Sequence, residues 1–207
     1  MNRSITYYFA PQSPYAYLGH ERLLRLAARH GATVDPKPFD LAAIFHQSGG
    51  TPVADRPSQR QRYRLVELQR WALFLGMPLN PQPRYFPVDQ APASLRLVAA
   101  RRQYGTGRTL ALASAIMRAV WAEERDIADA ATLARLADDC GLDGRLLDLA
   151  TMSPETGQDY QANTRDALDA GVFGSPWYVL DGQAFWGQDR LDFLERQLCA
   201  PASEARS

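Results

Sequence analysis

Apolar and polar positions alternate with two different periods along this chain, and the change of period divides it into three stretches. Ile5-Thr6-Tyr7-Tyr8-Phe9 is short, apolar and rich in β-formers, which predicts a strand. Ser13-Pro14 then offers a helix N-cap followed by proline at the first helical position. That helix should run to about His30, where Gly31 provides a stop. Thr33 to Phe39 reads as a second strand, and Pro36 and Pro38 place it at a sheet edge because neither can donate to a ladder. At the other end of the chain, Trp177-Tyr178-Val179-Leu180 and Gln183–Trp186 form two strands around an Asp181-Gly182 turn. Arg190–Cys199 closes as a helix with Leu191, Leu194 and Leu198 on one face.

Residues 46–170 switch to helical spacing. Ser58 with Gln61 reads as a capping box. Leu68, Trp71, Ala72 and Leu75 follow at i, i+3, i+4 and i+7 until Gly76 and Pro78. A proline-dense loop comes next, with Pro78, Pro81, Pro83, Pro87 and Pro92. Helices are expected over Ala93–Tyr104, Arg108–Glu124, Ala130–Cys140, Gly144–Ala150 and Pro154–Ala170. A βαβ unit and a ββα unit around a helical segment is the plan of an α/β, thioredoxin-like domain with a large all-helical insertion. The expected domain is residues 1–45 plus 171–207, and the expected insertion is 46–170.

Charge narrows the function classes. Lysine plus arginine total 23 and aspartate plus glutamate total 23, a formal net charge of zero over 207 residues. A neutral chain lacks the basic excess of a nucleic-acid binder and the polybasic run of a protein drawn to anionic membranes. Only Lys37 among the basic residues is lysine. Met1 to Phe9 has one basic residue and no long apolar stretch, so a signal peptide is not expected, and no run of about 18 apolar residues appears anywhere. A reducing cytoplasm is the expected compartment.

Cys140 and Cys199 form neither a CxxC pair nor a metal-ligand cluster, and they read as free packing thiols. His20, His30 and His46 have no metal spacing. Nothing in the sequence predicts a metal site, a P-loop or a Gly-x-Ser-x-Gly elbow.

Three segments carry candidate chemistry. Ser13-Pro14-Tyr15-Ala16-Tyr17-Leu18 puts Ser13 at a helix N-terminus, where free N–H groups and the helix dipole favour an anion. Redox thioredoxin-like proteins carry Cys-x-x-Cys in this turn; here the positions are Ser13 and Ala16, so the chain itself cannot exchange disulfides there. A plain N-cap is the alternative role for Ser13. Val172-Phe173-Gly174-Ser175-Pro176-Trp177 suggests a cis bond before Pro176, in a loop whose backbone can pair with a peptide, although an ordinary turn is also open. Trp186-Gly187-Gln188-Asp189-Arg190 starts the last helix. Asp189 is the expected cap, and Gln188, Asp189 and Arg190 together could hold an ammonium and a carboxylate.

The order and spacing of these segments resemble the 2-hydroxychromene-2-carboxylate isomerase family, relatives of the kappa-class glutathione transferases. Gln69-Arg70-Trp71-Ala72 and Phe86-Pro87-Val88 add to the likeness, which covers nearly the whole chain. The resemblance implies glutathione as cofactor, with Ser13 hydrogen-bonded to its sulfur. It implies that the Ser175 backbone beside Pro176 pairs with the cysteinyl part, and that Gln188, Asp189 and Arg190 meet the γ-glutamyl end. The implied substrate is a small aromatic carboxylate from aromatic catabolism. Thiolate addition to a conjugated double bond, rotation and elimination would yield trans-o-hydroxybenzylidenepyruvate. Relatives are commonly homodimers.

Two positions depart from the pattern. Gly50 stands where the family loop carries asparagine, and Asp89 stands where relatives often have asparagine. Lys37 is a candidate for the substrate carboxylate, and Tyr15, Tyr17, Trp71, Tyr85 and Phe86 are candidates for an aromatic pocket.

A serine is energetically sufficient for the implied role. Lowering a thiol pKa from ~8.5 by ~2 units takes about 2.7 kcal/mol. A hydrogen bond to a charged group supplies roughly 1.5–3 kcal/mol, and a helix N-terminus adds ~0.3–1 kcal/mol. A kappa-like transferase or peroxidase would use the same site. A non-catalytic thioredoxin-like binding module also fits Ser13. A thiol-disulfide oxidoreductase fits least, since neither cysteine lies in the turn.

Overall fold

Strand β1 (Ser4–Phe9) is an inner strand of a four-stranded sheet with order β2-β1-β3-β4. The computed structural model describes residues 3–200; the ends of the expected ranges 1–45 and 171–207 lie outside the described residues. β2 (Thr33–Pro38) pairs parallel to β1 at the edge where its prolines are tolerated. β3 (Trp177–Leu180) pairs antiparallel to β1, and β4 (Gln183–Trp186) pairs antiparallel to β3. The Asp181-Gly182 turn has φ of 50° and 75°. Consecutive positive φ at the two central residues is the geometry that lets two antiparallel strands follow the sheet twist.

Period-two alternation sends the inner strands to two faces. Ile5, Tyr7 and Phe9 of β1, with Tyr178 and Leu180 of β3, join the larger core. Tyr8 and Trp177 point the other way, into a smaller core with Phe39, Ile44, Ala167 and Val172. Tyr7 stacks on Phe9 at 4.5 Å and on its cross-strand partner Tyr178 at 5.5 Å. Helix α1 (Pro14–Arg29) covers the larger core through Leu18, Leu23 and Leu26. His20 is buried on this helix, its Nε2 3.0 Å from the Leu110 carbonyl oxygen.

The helical segment begins earlier than its spacing suggests. Asp40 caps a short α2 (Leu41–Ser48) by accepting from Ala42 and Ala43 N–H, and this helix straddles the expected boundary at residue 45. α3 runs Ser58–Leu75 and stops at Gly76 as expected. The expected capping box is not formed. Pro57 occupies the cap, and Gln61 Nε2 donates back to the Ala54 and Arg56 carbonyls at 3.1 and 2.7 Å. A residue with two free carbonyls behind it has no need to reach for Ser58.

The two helices expected at 93–104 and 108–124 are both present within α4 (Ala91–Trp121), two helical segments separated by a kink at Gly105, where φ is 76° and ψ 176°. α5 (Ala130–Asp139), α6 (Gly144–Thr151) and α7 (Pro154–Asp169) follow, capped by Asp129, Asp143 and Ser153. Leu97, Ile116, Leu133 and Leu147 from these helices belong to the same buried cluster as Ile5 and Phe9, so the sheet and the helical segment share a core. A 3-10 turn (Gln188–Arg190) leads into α8 (Leu191–Cys199), which buries Leu191, Leu194 and Leu198.

Candidate functional site

β1 ends at Phe9, and the chain turns tightly so that Ser13 N–H donates to the Ala10 carbonyl at 2.9 Å. This turn delivers Ser13 to the N-terminus of α1 at the end of an inner strand. Ser13 is the N-cap, its Oγ accepting from Ala16 N–H at 3.2 Å. The same Oγ donates to the Ser175 carbonyl at 3.1 Å. The Ser175-Pro176 peptide is cis, as expected. Ser175 Oγ accepts from Ala10 N–H at 2.9 Å, so the two serines tie the two turns together reciprocally. The Ser175 N–H has no hydrogen-bond partner among the described residues.

Pro176 links this pair to the third segment, because its carbonyl accepts from Gly187 N–H at 3.0 Å. Beyond Gly187 the expected residues diverge. Gln188 is buried; its Oε1 and its carbonyl oxygen accept from Arg22 Nη1 at 2.6 and 3.1 Å. Its side chain packs under α1 against Gly19, whose absent Cβ would lie 2.9 Å from Gln188 Cβ. Gln188 therefore ties the start of the last helix to α1 through its two oxygens. Asp189 does not cap α8, which has Arg190 at its cap position and no side-chain cap bond. Asp189 and Arg190 form a surface ion pair at 2.6 Å instead.

Lys37, the candidate for a substrate carboxylate, is paired with Asp166 of α7 at 2.5 Å. Asp89 accepts from Ala91 N–H at 2.9 Å at the entry to α4. Gly50 sits against Phe45, and a Cβ there would lie 2.2 Å from Phe45 Cδ1. The ring of α2 fills the space that an asparagine side chain would need.

Two polar residues near the Ser13 turn, Glu67 and Arg64, escaped the sequence reading. Tyr15 Oη donates to Glu67 Oε2 at 2.6 Å, and burial and that bond push the phenol well above its usual range. Arg64 is buried on α3, its guanidinium carbon 5.0 Å from the Phe86 ring and 5.7 Å from the Trp121 ring. The buried residues of α3 are Arg64, Leu68 and Ala72, spaced by four. That spacing was a legible signal: a charge on the apolar stripe. Phe86-Pro87 is a second cis bond. An aromatic wall borders Ser175, with Phe173 edge-on to Trp177 at 4.9 Å and Trp186 at 4.6 Å.

Cys140 and Cys199 are both free. Burial pushes the Cys140 thiol up, away from reactivity. Among the described residues no cluster of His, Cys, Asp or Glu could hold a metal ion, and no helix is long and apolar enough to cross a membrane.

Comparison with known proteins follows the same segments. A family model described as a DSBA-like thioredoxin domain matches residues 4–199. The chain is 31% identical over 199 residues to the 2-hydroxychromene-2-carboxylate isomerase of Sphingobium xenophagum, covering 96% of this chain and 99% of that one. The chain belongs to the 2-hydroxychromene-2-carboxylate isomerase family, within the DSBA-like thioredoxin domains. A solved structure of a 2-hydroxychromene-2-carboxylate isomerase superposes with a TM-score of 0.79 at 28% identity, over 95% of this chain and 94% of that one. Human glutathione S-transferase kappa 1 is 25% identical over 209 residues, covering 95% of this chain and 91% of that one. This family member thus carries serine, not cysteine, at the turn between β1 and α1 of a DSBA-like domain.

Proposed function

We propose that this protein is a glutathione-dependent cis-trans isomerase acting on 2-hydroxychromene-2-carboxylate or a related aromatic carboxylate. The observation that carries the reading is the position of Ser13 Oγ, at a helix N-terminus and 3.1 Å from the carbonyl beside a cis proline. The names of its relatives support the substrate class, and the kappa transferase relative supports glutathione. When bound, glutathione supplies a thiol that adds reversibly to a conjugated double bond.

The residues fit the cysteinyl end of glutathione. Ser13 has one hydroxyl proton, and the free protein spends it on the Ser175 carbonyl. A peptide laid along Ser175 would offer its own N–H to that carbonyl and accept from the unpaired Ser175 N–H. Ser13 Oγ–H is then released to donate to a thiolate, and the α1 N-terminus adds its dipole. Peptide docking and thiolate stabilisation are thereby coupled through a single carbonyl. At the γ-glutamyl end the fit is narrower: Asp189 and Arg190 are at the surface beside Gly187, whereas Gln188 is committed to Arg22.

Mixing the protein with the chromene carboxylate, with and without glutathione, tests the reading by the ultraviolet spectrum. Isomerisation only with glutathione, and no conjugate accumulating, supports it. Accumulation of a stable conjugate would favour a kappa-like transferase. We further propose a homodimer, on the same family reasoning, and a reducing cytoplasm as its compartment, on its two free thiols.

A further inference from the structure

We propose that Arg64 is the seat for a ligand carboxylate, the aromatic acid's own carboxylate in the reading above, on which this inference rests. Arg64 is only 7% exposed, yet among the described residues no carboxylate pairs with it and no acceptor takes a hydrogen bond from it. Buried guanidinium groups are ordinarily paired, because an uncompensated charge is costly away from water. Two rings packed on each other, Phe86 and Trp121, stabilise the cation from one side but accept no hydrogen bond in its plane. Arg64 Nη2 is a sealed donor without a partner, and so is the indole Nε1 of Trp121, the ring it lies over. A guanidinium left without an acceptor matches a carboxylate, which supplies several lone pairs.

The surroundings favour an anion. Arg56 and Arg64 both lie close enough to Tyr15 to act on its ionisation, and burial lowers the pKa of both arginines. Glu67, the nearby carboxylate one turn along α3, is occupied by the Tyr15 hydroxyl. Tyr15 stands two residues after Ser13 on α1, so the unpaired guanidinium belongs to the neighbourhood of the active turn. Phe86, from the proline-dense loop, covers Arg64 and Trp121 together at 5.0 and 4.9 Å. Lys37, the other candidate cation, already has Asp166.

The test uses the full chain, with trans-cinnamate and cinnamamide as charged and neutral probes in calorimetry, and glutathione as a third. Arg64→Met should weaken cinnamate binding by roughly tenfold or more and leave cinnamamide binding unchanged, and Arg64→Lys should recover part of the loss. If glutathione affinity falls roughly tenfold instead, the carboxylate seated there is glutathione's, and the assignment of Arg64 to a carboxylate stands. If Arg64→Met is folded and binds all three probes as the native protein does, the proposal is overturned. A drop in Tm with probe affinities intact overturns it as well, since that is the signature of a clamp on Phe86. Should Arg64→Met fail to fold, Arg64→Gln is read by the same criteria. Failure of the isomerase assay in the native protein would remove the reading of the reaction and leave the cinnamate comparison to decide Arg64 by itself.

Discussion

Ser13 Oγ donates to the Ser175 carbonyl at 3.1 Å, across 162 positions of sequence. The same oxygen accepts from Ala16 N–H, so one hydroxyl both caps α1 and holds the proton that a thiolate would need. These roles can be separated. Ser13→Ala removes both, and should cost about 1 kcal/mol of stability and at least about tenfold in glutathione-dependent turnover. Ser13→Asp keeps a good cap but offers only acceptors. It should lose turnover entirely and also lower the Tm, because a buried carboxylate would face the Ser175 carbonyl with no proton between them. Thermal denaturation and the isomerase assay on both variants check this; an active Ser13→Asp would remove the thiolate-stabilising role.

Ser175→Ala tests the other half of the pair. Its Oγ accepts from Ala10 N–H. Without it that amide is left without a partner near the core, at about 1–3 kcal/mol. The loop bearing the Ser175 carbonyl also loses its tie to the end of β1. Glutathione affinity should fall alongside stability, measurable by calorimetry and urea denaturation. Unchanged affinity in a destabilised variant would restrict Ser175 to a structural part.

Gly50→Asn is the obvious attempt to bring back the family asparagine, and it should fail. Its Cβ would meet the Phe45 ring at 2.2 Å, and overpacking of this kind typically costs ~1–3 kcal/mol. The double variant Phe45→Ala with Gly50→Asn makes room and should bind glutathione more tightly than Gly50→Asn alone. Equal affinities for the single and double variants would show that the asparagine is not the missing contact.

Much of this was written in the sequence, and the exceptions have physical reasons. The strands, the Asp181-Gly182 turn and the Ser13-Pro14 helix start depend on local chemistry, which a sequence displays. Ser13 and Ser175 could each be singled out alone, but their contact is a product of the strand order. The bond of Gln188 to Arg22, 166 positions away, was likewise not visible in the sequence. The break at Gly105 was legible, because a glycine at positive φ separates two helical segments that bury residues in the same core. Arg64 was legible as a charge at the spacing of Leu68 and Ala72, but its lack of a partner could be seen only in three dimensions.

Stability should also fall on mild acidification. Burial holds the His20 imidazole below its usual pKa of 6.5, against the opposing pull of the Leu110 carbonyl and Glu21. The folded state therefore binds a proton less readily than the unfolded state. Stability is full above about pH 6.5 and is lost as the pH falls below it, by at most about 1.4 kcal/mol per unit. Tm measured from pH 7.5 to 5 should decline less steeply in His20→Gln than in the native protein. Parallel slopes would mean that other groups govern the acid limb.

The central claim is that the reactive sulfur comes from outside the chain and is held by Ser13. Its most direct test is the ultraviolet spectrum of 2-hydroxychromene-2-carboxylate mixed with the native protein, with glutathione present and absent. Conversion to the trans product only when glutathione is present, with glutathione recovered unchanged, is the predicted result. Conversion without glutathione, or none in either mixture, would contradict it.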